Sequence, residues 1–299
     1  MSGEVLSRRD VHRAITDTIV SAIEAGAKEF KMPWHLGIAR PVNASTERAY
    51  HGVNVLALWA AAQHRGFGSG YWATYRQWAT IGAQVRKAER GSIVVFYKSV
   101  DVDSEDSEKV DAASSQRVKL IACASWVFNA DQVDGWSAPH VQRESRVETR
   151  ANVEAFIAGS RADIRHGGTM AYYDPTGDYI AVPRPDQFIA TGTSTATEAY
   201  YATVLHELTH WTGAPHRLAR NLRIRFADRA YAMEELVAEF GAAFLCADLH
   251  VTNAPRADHA AYVSSWLHVL QEDRTALFTA ASKASVAATY LSELGRPLE

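Results

Sequence analysis

Residues 204–217, "VLHELTHWTGAPHR", place three histidines and a glutamate within eleven positions. The first two histidines constrain the local fold more than any other feature of the chain. In the longer segment "TEAYYATVLHELTHWTG", the apolar residues Val204, Leu205 and Leu208 mark a buried side, so the stretch reads as a helix. On a helix, His206 and His210 stand one turn apart on one face, about 6 Å along the axis, and both imidazoles reach one ion. Two solvated histidines on a charged helix are the plainer reading, but the apolar surroundings argue against it.

Glu207 directly follows the first histidine and is placed to take the proton of a bound water, whose pKa zinc lowers to about 7. This is the H-E-x-x-H arrangement of zinc peptidases. Glu207 is therefore the candidate catalytic residue, and His206 and His210 are candidate ligands of Zn2+ or another divalent metal. A catalytic zinc takes a third protein ligand and keeps one position open. His216 is one contender, because "HELTHWTGAPH" fits the extended form in which a glycine turns the chain back to deliver a third imidazole, with Met233 available as its Met-turn. Glu235 and Glu239 are the others. They share a face of "MEELVAEF" inside an apolar run, where burying carboxylates is costly unless something positive pairs with them. Glu235-x-x-Ala-Glu239 resembles the Glu-x-x-Ala-Asp segment of several zinc peptidases. That likeness implies Glu235 as the third ligand, ahead of Glu239 and His216, with Glu239 holding the second N–H of a ligand histidine. Glu234 reads as solvated, and His250, His259 and His268 as ordinary surface or core histidines. Tyr201 and Tyr231 are near enough to be considered as oxyanion donors, but nothing favours either.

The chain's 299 residues allow one large domain or two medium ones. Its apolar runs fall short of a membrane span, and its first residues are charged and periodic where a secretory signal is continuously apolar. Cys123 and Cys246 lie in apolar settings that suit reduced core thiols. These features predict a soluble, cytoplasmic protein with no membrane partner. Charge is unevenly distributed: residues 1–100 hold 13 Lys and Arg against 7 Asp and Glu, and the rest 18 against 27.

Val11, Ile15, Ile19 and Ile23 recur every four residues and predict an amphipathic helix ending near Gly26. "GVNVLALWAAAQHRG" and "TYRQWATIGAQV" read as two further helices, and "GSIVVFYKSV" and "VKLIACASWVFN" as strands joined by an acidic loop over 101–116. The polar stretch after Asn129 reads as a linker, with a domain boundary at 144/145. Beyond it come a helix around "NVEAFIAGS", a β-hairpin from "GTMAYY" and "DYIAVP" about a "DPTG" turn, and helical sequence from about 196 to 294. The hairpin either packs structurally on the helix or offers an edge to an extended peptide.

In the basic third, aromatic residues alternate with cations. Rings that stack bases, flanked by Lys and Arg that meet phosphates, form the usual surface for single-stranded nucleic acid. Trp72, Tyr75, Trp78, Arg86, Lys87, Arg90 and Lys98 are the candidates, with "VRKAERG" concentrating three cations where a strand begins; Trp59, on an Ala/Leu-rich helix, reads as core.

The segments "HGVNVLALW", "VRKAERGSIVVFYK", "WVFNADQV", "RHGGTMAYY", "HELTHWTG" and "YAMEELVAEFGAAFLCADL" together resemble the ArdC-type antirestriction proteins of conjugative plasmids, nearly end to end. The resemblance implies an N-terminal domain for single-stranded DNA, shared with TraC-type primases, over residues 1–144, and a C-terminal zincin-like metallopeptidase domain over 145–299. It carries Tyr50, Gly52, Asn54 and the Arg86 to Gly91 turn into the N-terminal signature, which adds Tyr50 to the DNA-binding candidates. His216 departs from the family's usual residue. The expected fold is α+β: a mixed α/β first domain, then a mostly helical domain with a small hairpin or sheet. The expected function is protection of incoming plasmid DNA from restriction through binding of single-stranded DNA, with a zinc peptidase-type site. The alternative is a zinc metallopeptidase that cleaves a host protein with little DNA dependence.

Overall fold

The structure, a computed structural model, describes residues 8–26, 39–101, 118–139, 146–190, 194–220, 229–251, 259–273 and 275–295. The fold is mixed α+β, with a sheet-rich N-terminal region and a mostly helical C-terminal one.

Helix α1 (Arg8–Gly26) forms as its four-residue spacing predicts, and Val11, Ile15, Ile19 and Ile23 are all fully buried. A four-stranded sheet contains β1 (Val42–Asn43), β2 (Tyr71–Thr74), β4 (Ser92–Asp101) and β5 (Val118–Asn129) in the order β1-β2-β5-β4. β4 and β5 pair antiparallel along ten positions, from Ser92↔Val127 to Asp101↔Val118, while β1 joins β2 in parallel. β4 is an edge of this sheet, and α2 (Val53–Arg65) closes it. The Asn54 amide donates to Val95 O at 2.7 Å and accepts from Val95 N at 2.8 Å, as a neighbouring strand would. α2 begins after Gly52, whose φ of 58° and ψ of −138° suit only glycine.

The single helix expected over 74–85 is short: α3 is Tyr75–Thr80, boxed at its start by Thr74 and Gln77. Gly82, at φ 82°, turns the chain into β3 (Gln84–Val85), which pairs with β6 (Val133–Asp134). β6 lies in the stretch that reads as a linker. The boundary at 144/145 and the loop over 102–116 lie outside the described residues.

Helix α4 (Arg146–Ser160) starts earlier than its apolar face suggested. The hairpin β8 (Tyr172–Asp174) and β9 (Tyr179–Val182) is present, and a third strand, β7 (Asp163–His166), joins β9 in parallel. The C-terminal helices are α5 (Ala196–Trp211), α6 (Arg229–Asp248), α7 (His259–Glu272) and α8 (Ala276–Leu294). Asp273 separates α7 from α8 by accepting from Thr275 N and Oγ1. No helix among the described residues is long and apolar enough to cross a membrane.

One buried cluster runs through both regions, from Ile15 and Leu56 through Val95 to Leu205, Phe240 and Ala280. Trp59, core as expected, packs on Phe244. Arg40 reaches Asp248 at 2.5 Å, and Gly52 N donates to Ser285 Oγ at 2.9 Å.

Candidate functional site

The site is built where α5 crosses α6. Thr195 and Glu198 close a capping box at the start of α5, and Val204, Leu205 and Leu208 are fully buried, so the histidine-bearing turn is rigidly seated. Close approach of the two helices depends on Gly241. A Cβ there would lie 2.5 Å from Thr209 Cγ2 and 2.8 Å from its Oγ1. Thr209 is itself fixed, its Oγ1 donating to Leu205 O at 2.9 Å.

This crossing brings the "MEELVAEF" carboxylates onto the two histidines. His206 Nε2 is 3.6 Å and His210 Nε2 3.5 Å from the Glu235 carboxylate, and one donor atom from each of the three residues falls within 4.8 Å of the others. Glu239 Oε2 lies 3.6 Å from His206 Nδ1, and Glu234 Oε1 accepts from His210 Nδ1 at 3.3 Å. Glu207 is buried beside them, 3 % exposed. Four buried glutamates therefore surround two imidazoles. Burial disfavours charge on His210, yet Glu235, Glu234 and Glu207 outweigh it and hold the imidazolium up to about 10. Burial likewise opposes charge on Glu235, but His210 and His206 hold its carboxyl far below the usual range. Two nitrogens and one carboxylate oxygen suit a divalent cation, which would also balance the surplus negative charge. His206 Nδ1 is buried with no hydrogen-bond partner among the described residues and faces Glu239, an orientation that turns Nε2 toward the other two donors.

Glu234 is not solvated, as the sequence suggested; it is 9 % exposed. Arg220 grips it through Nη2 at 2.8 Å and Nε at 3.1 Å, and also donates to Thr212 Oγ1 and Thr209 O at the end of α5. Burial raises the Glu234 carboxyl, but His210 and Arg220 prevail and hold it low. No local pattern around Arg220 signals this role, because its partner lies fourteen positions further along the chain. His216 lies apart from the three donors. Its side chain is 62 % exposed, and its Nε2 faces Asp178 Oδ2 at 3.3 Å. Met233 sits within α6, not in a turn. Tyr201 is buried, and its hydroxyl donates to Glu154 at 2.7 Å, away from an oxyanion role; Tyr231 lies in the first turn of α6. Of the hairpin strands, β9 is paired on both sides, which leaves β8 as an edge among the described residues.

The N-terminal candidates divide. Trp72 and Trp78 are 1 % and 0 % exposed, and Trp78 Nε1 donates to Phe128 O. Neither presents a face to a base; both are core, because β2 and α3 turn them inward. Arg86 is engaged by the carbonyls of Asp131 and Val133 and by Glu89 and Asp134, clasping β3 to β6. Tyr50 is half-buried, and its hydroxyl accepts from Asn43. Tyr75 is 51 % exposed, and Lys87 and Arg90 are exposed. The Lys98 side chain lies outside the described residues. The sequence reading passed over Trp126, 55 % exposed on β5. Alternation along "SWVFN" signals it, since Val127 points the other way, into the core.

Comparison with known proteins places these features in a family. Residues 9–128 match the N-terminal domain of anti-restriction factor ArdC, and residues 151–283 match a zincin-like metallopeptidase. An uncharacterized protein of Sinorhizobium fredii, y4eC, is 44% identical over 94% of this chain and 91% of its own. A DNA primase TraC of Escherichia coli is 35% identical over 93% of this chain, which spans 26% of that larger protein. The crystal structure of antirestriction protein ArdC from the R388 plasmid, metal-free, superposes with a TM-score of 0.76 at 40% identity, covering 96% of this chain and 98% of that one. Its Mn(II)-bound form superposes equally well, with a TM-score of 0.76 at 38% identity, covering 97% and 100%. With an ArdC N-terminal domain, a zincin-like metallopeptidase domain and a His-His-Glu site for a divalent metal, the chain belongs to the ArdC family of antirestriction proteins.

Proposed function

We propose that this protein binds single-stranded DNA through residues 1–144 and carries a zinc-dependent peptidase centre in residues 145–299, acting in the cytoplasm to protect incoming plasmid DNA from restriction. The observation that carries the second half is the meeting of His206, His210 and Glu235 donor atoms within 4.8 Å, with Glu207 buried alongside. A zinc ion held by those three residues would supply Lewis acidity and a water of lowered pKa. Glu207 takes up the proton released on attack and returns it to the leaving amine. Glu239 and Glu234 face the Nδ1 atoms and set the tautomers, while Arg220 keeps Glu234 ionised and in place. The open edge of β8, on a strand packed against α5, supports a peptide substrate laid alongside as an added strand.

The first half rests on the match to the ArdC N-terminal domain together with Tyr75, Lys87 and Arg90 on the surface. Tyr50, Arg86 and Lys98 remain in the DNA-binding proposal as contributors from the same region. Plasmid transfer into a restricting recipient tests the whole. Glu207→Gln keeps metal but loses peptide hydrolysis; if the variant still protects DNA fully, proteolysis is not the mechanism. Charge reversal at Lys87 and Arg90 weakens oligonucleotide binding and flattens its salt dependence by about one ion per lost contact. Absence of saturable binding at low salt would remove the DNA half.

A further inference from the structure

The loop that follows α5 carries two arginines with nearly buried side chains, Arg217 at 6 % exposure and Arg220 at 5 %. Arg220 grips Glu234; Arg217 reaches the hairpin instead, and all five of its N–H donors are engaged. Nε donates to Trp211 O at 2.6 Å, and Nη1 to Asp178 Oδ2 at 3.1 Å and His216 Nε2 at 2.7 Å. Nη2 donates to the Tyr173 hydroxyl at 3.1 Å and to Asp178 Oδ1. The guanidinium also lies 3.7 Å from the centre of the Trp211 ring. Trp211 ends α5 directly after the ligand His210, and Tyr173 is buried on β8. One planar group therefore joins the turn that bears a metal ligand to the strand with the open edge. The hairpin closes its own turn without this help, since Asp174 Oδ1 accepts from Thr176 N and Gly177 N, each at 2.8 Å. What Arg217 fixes is where the finished hairpin sits against α5. Its hydrogen bonds hold the Asp178 carboxyl down to about 2, so the pair persists at neutral pH.

We propose that Arg217 is a positioning residue for an extended peptide: it sets the β8 edge against the metal centre, so that one chain pairs with β8 while its scissile group lies at His206, His210 and Glu235. Productive geometry at such sites tolerates shifts of well under 1 Å, about 0.5 Å, and rigid supports are what supply it. Lysine has three donors and no plane, so it cannot reproduce the contacts to Trp211, Asp178 and Tyr173 together. The inference rests on the peptide reading above and deepens it.

The test uses the full chain loaded with zinc and two probes, followed by calorimetric titration at neutral pH. Acetohydroxamate meets the ion alone, whereas acetyl-tetraalanine hydroxamate adds a tail that can pair as a strand and makes no side-chain demands. The parent binds the peptidyl probe more tightly. Arg217→Met keeps zinc and the parent's affinity for acetohydroxamate but binds the peptidyl probe about tenfold more weakly, the scale of one or two misaligned main-chain hydrogen bonds. Arg217→Lys recovers little of this. Tyr173→Phe removes a single hydroxyl from β8 and shows a severalfold loss in the same direction; it decides the matter where Arg217→Met does not fold. If the variants keep the parent's preference for the peptidyl probe, the positioning role is overturned while the peptide reading stands. Loss of zinc, or of both probes alike, in Tyr173→Phe makes the cluster a support of the metal site and also overturns it. A parent that binds both probes equally removes the edge-strand reading, and this inference with it.

Discussion

Gly241→Ala is the smallest change that should open the site without touching a ligand. The added methyl lands 2.5 Å from Thr209 Cγ2, where carbon atoms settle at about 3.5–4.0 Å, so α5 and α6 must part by about 1 Å. Thr209 has no room to yield: it is fully buried, and its hydroxyl is bonded to Leu205 O. Overpacking of this kind costs about 1–3 kcal/mol. Replacing a mid-helix glycine by alanine returns about 1 kcal/mol, leaving a net loss of up to about 2 kcal/mol. The metal pays more heavily than the fold, because two donors ride on one helix and the third on the other, and ligand distances tolerate only about 0.2 Å. Affinity for Zn2+ should therefore fall by about tenfold or more. Competition titration against a chromophoric chelator measures this, alongside a chemical melt. The double variant Gly241→Ala/Thr209→Gly, which moves the gap to the other helix, should recover most of the affinity. If Gly241→Ala binds zinc as the parent does, the crossing does not set the site's geometry and the reasoning fails.

Arg220→Met takes the guanidinium from buried Glu234, leaving it to His210, and should destabilise the fold by about 1–3 kcal/mol in a denaturant melt; adding Glu234→Met should restore much of it. His210, held up to about 10 without metal, is protonated at neutral pH and must lose that proton to become a ligand. Zinc affinity should therefore rise about tenfold per pH unit between pH 6.5 and 8.5, with about one proton released per ion in an indicator assay; a pH-independent affinity contradicts the ion-paired site. Asn54→Ala strips both hydrogen bonds from the β4 edge and should lower stability by about 1–3 kcal/mol, whereas Asn54→Asp, which keeps only the acceptor, should also be destabilised.

Local patterns carried much of this in the sequence. The α1 stripe, the β4 and β5 runs, the H-E-x-x-H turn and the paired carboxylates of "MEELVAEF" all announce themselves through spacing within one element. What stayed hidden depends on contacts between elements. Trp72 and Trp78 share the composition of a stacking surface with Tyr75, and only the inward turn of a four-residue strand and a six-residue helix separates them. β7 pairs in parallel with β9 across the hairpin, so no turn signal marks it. Glu234 looks solvated beside its two neighbours until Arg220 folds back from the loop to meet it. Gly241 reads as a mild helix weakener, although its value lies in the Thr209 methyl it admits.

The central claim is that one carboxylate from α6 completes a metal site begun by two histidines on α5. Metal content of purified protein, read by atomic emission after zinc loading and desalting, tests it most directly. The parent and His216→Ala should each retain one ion per chain, and His206→Ala and Glu235→Ala should retain almost none. Full occupancy in Glu235→Ala together with loss in His216→Ala would contradict the account.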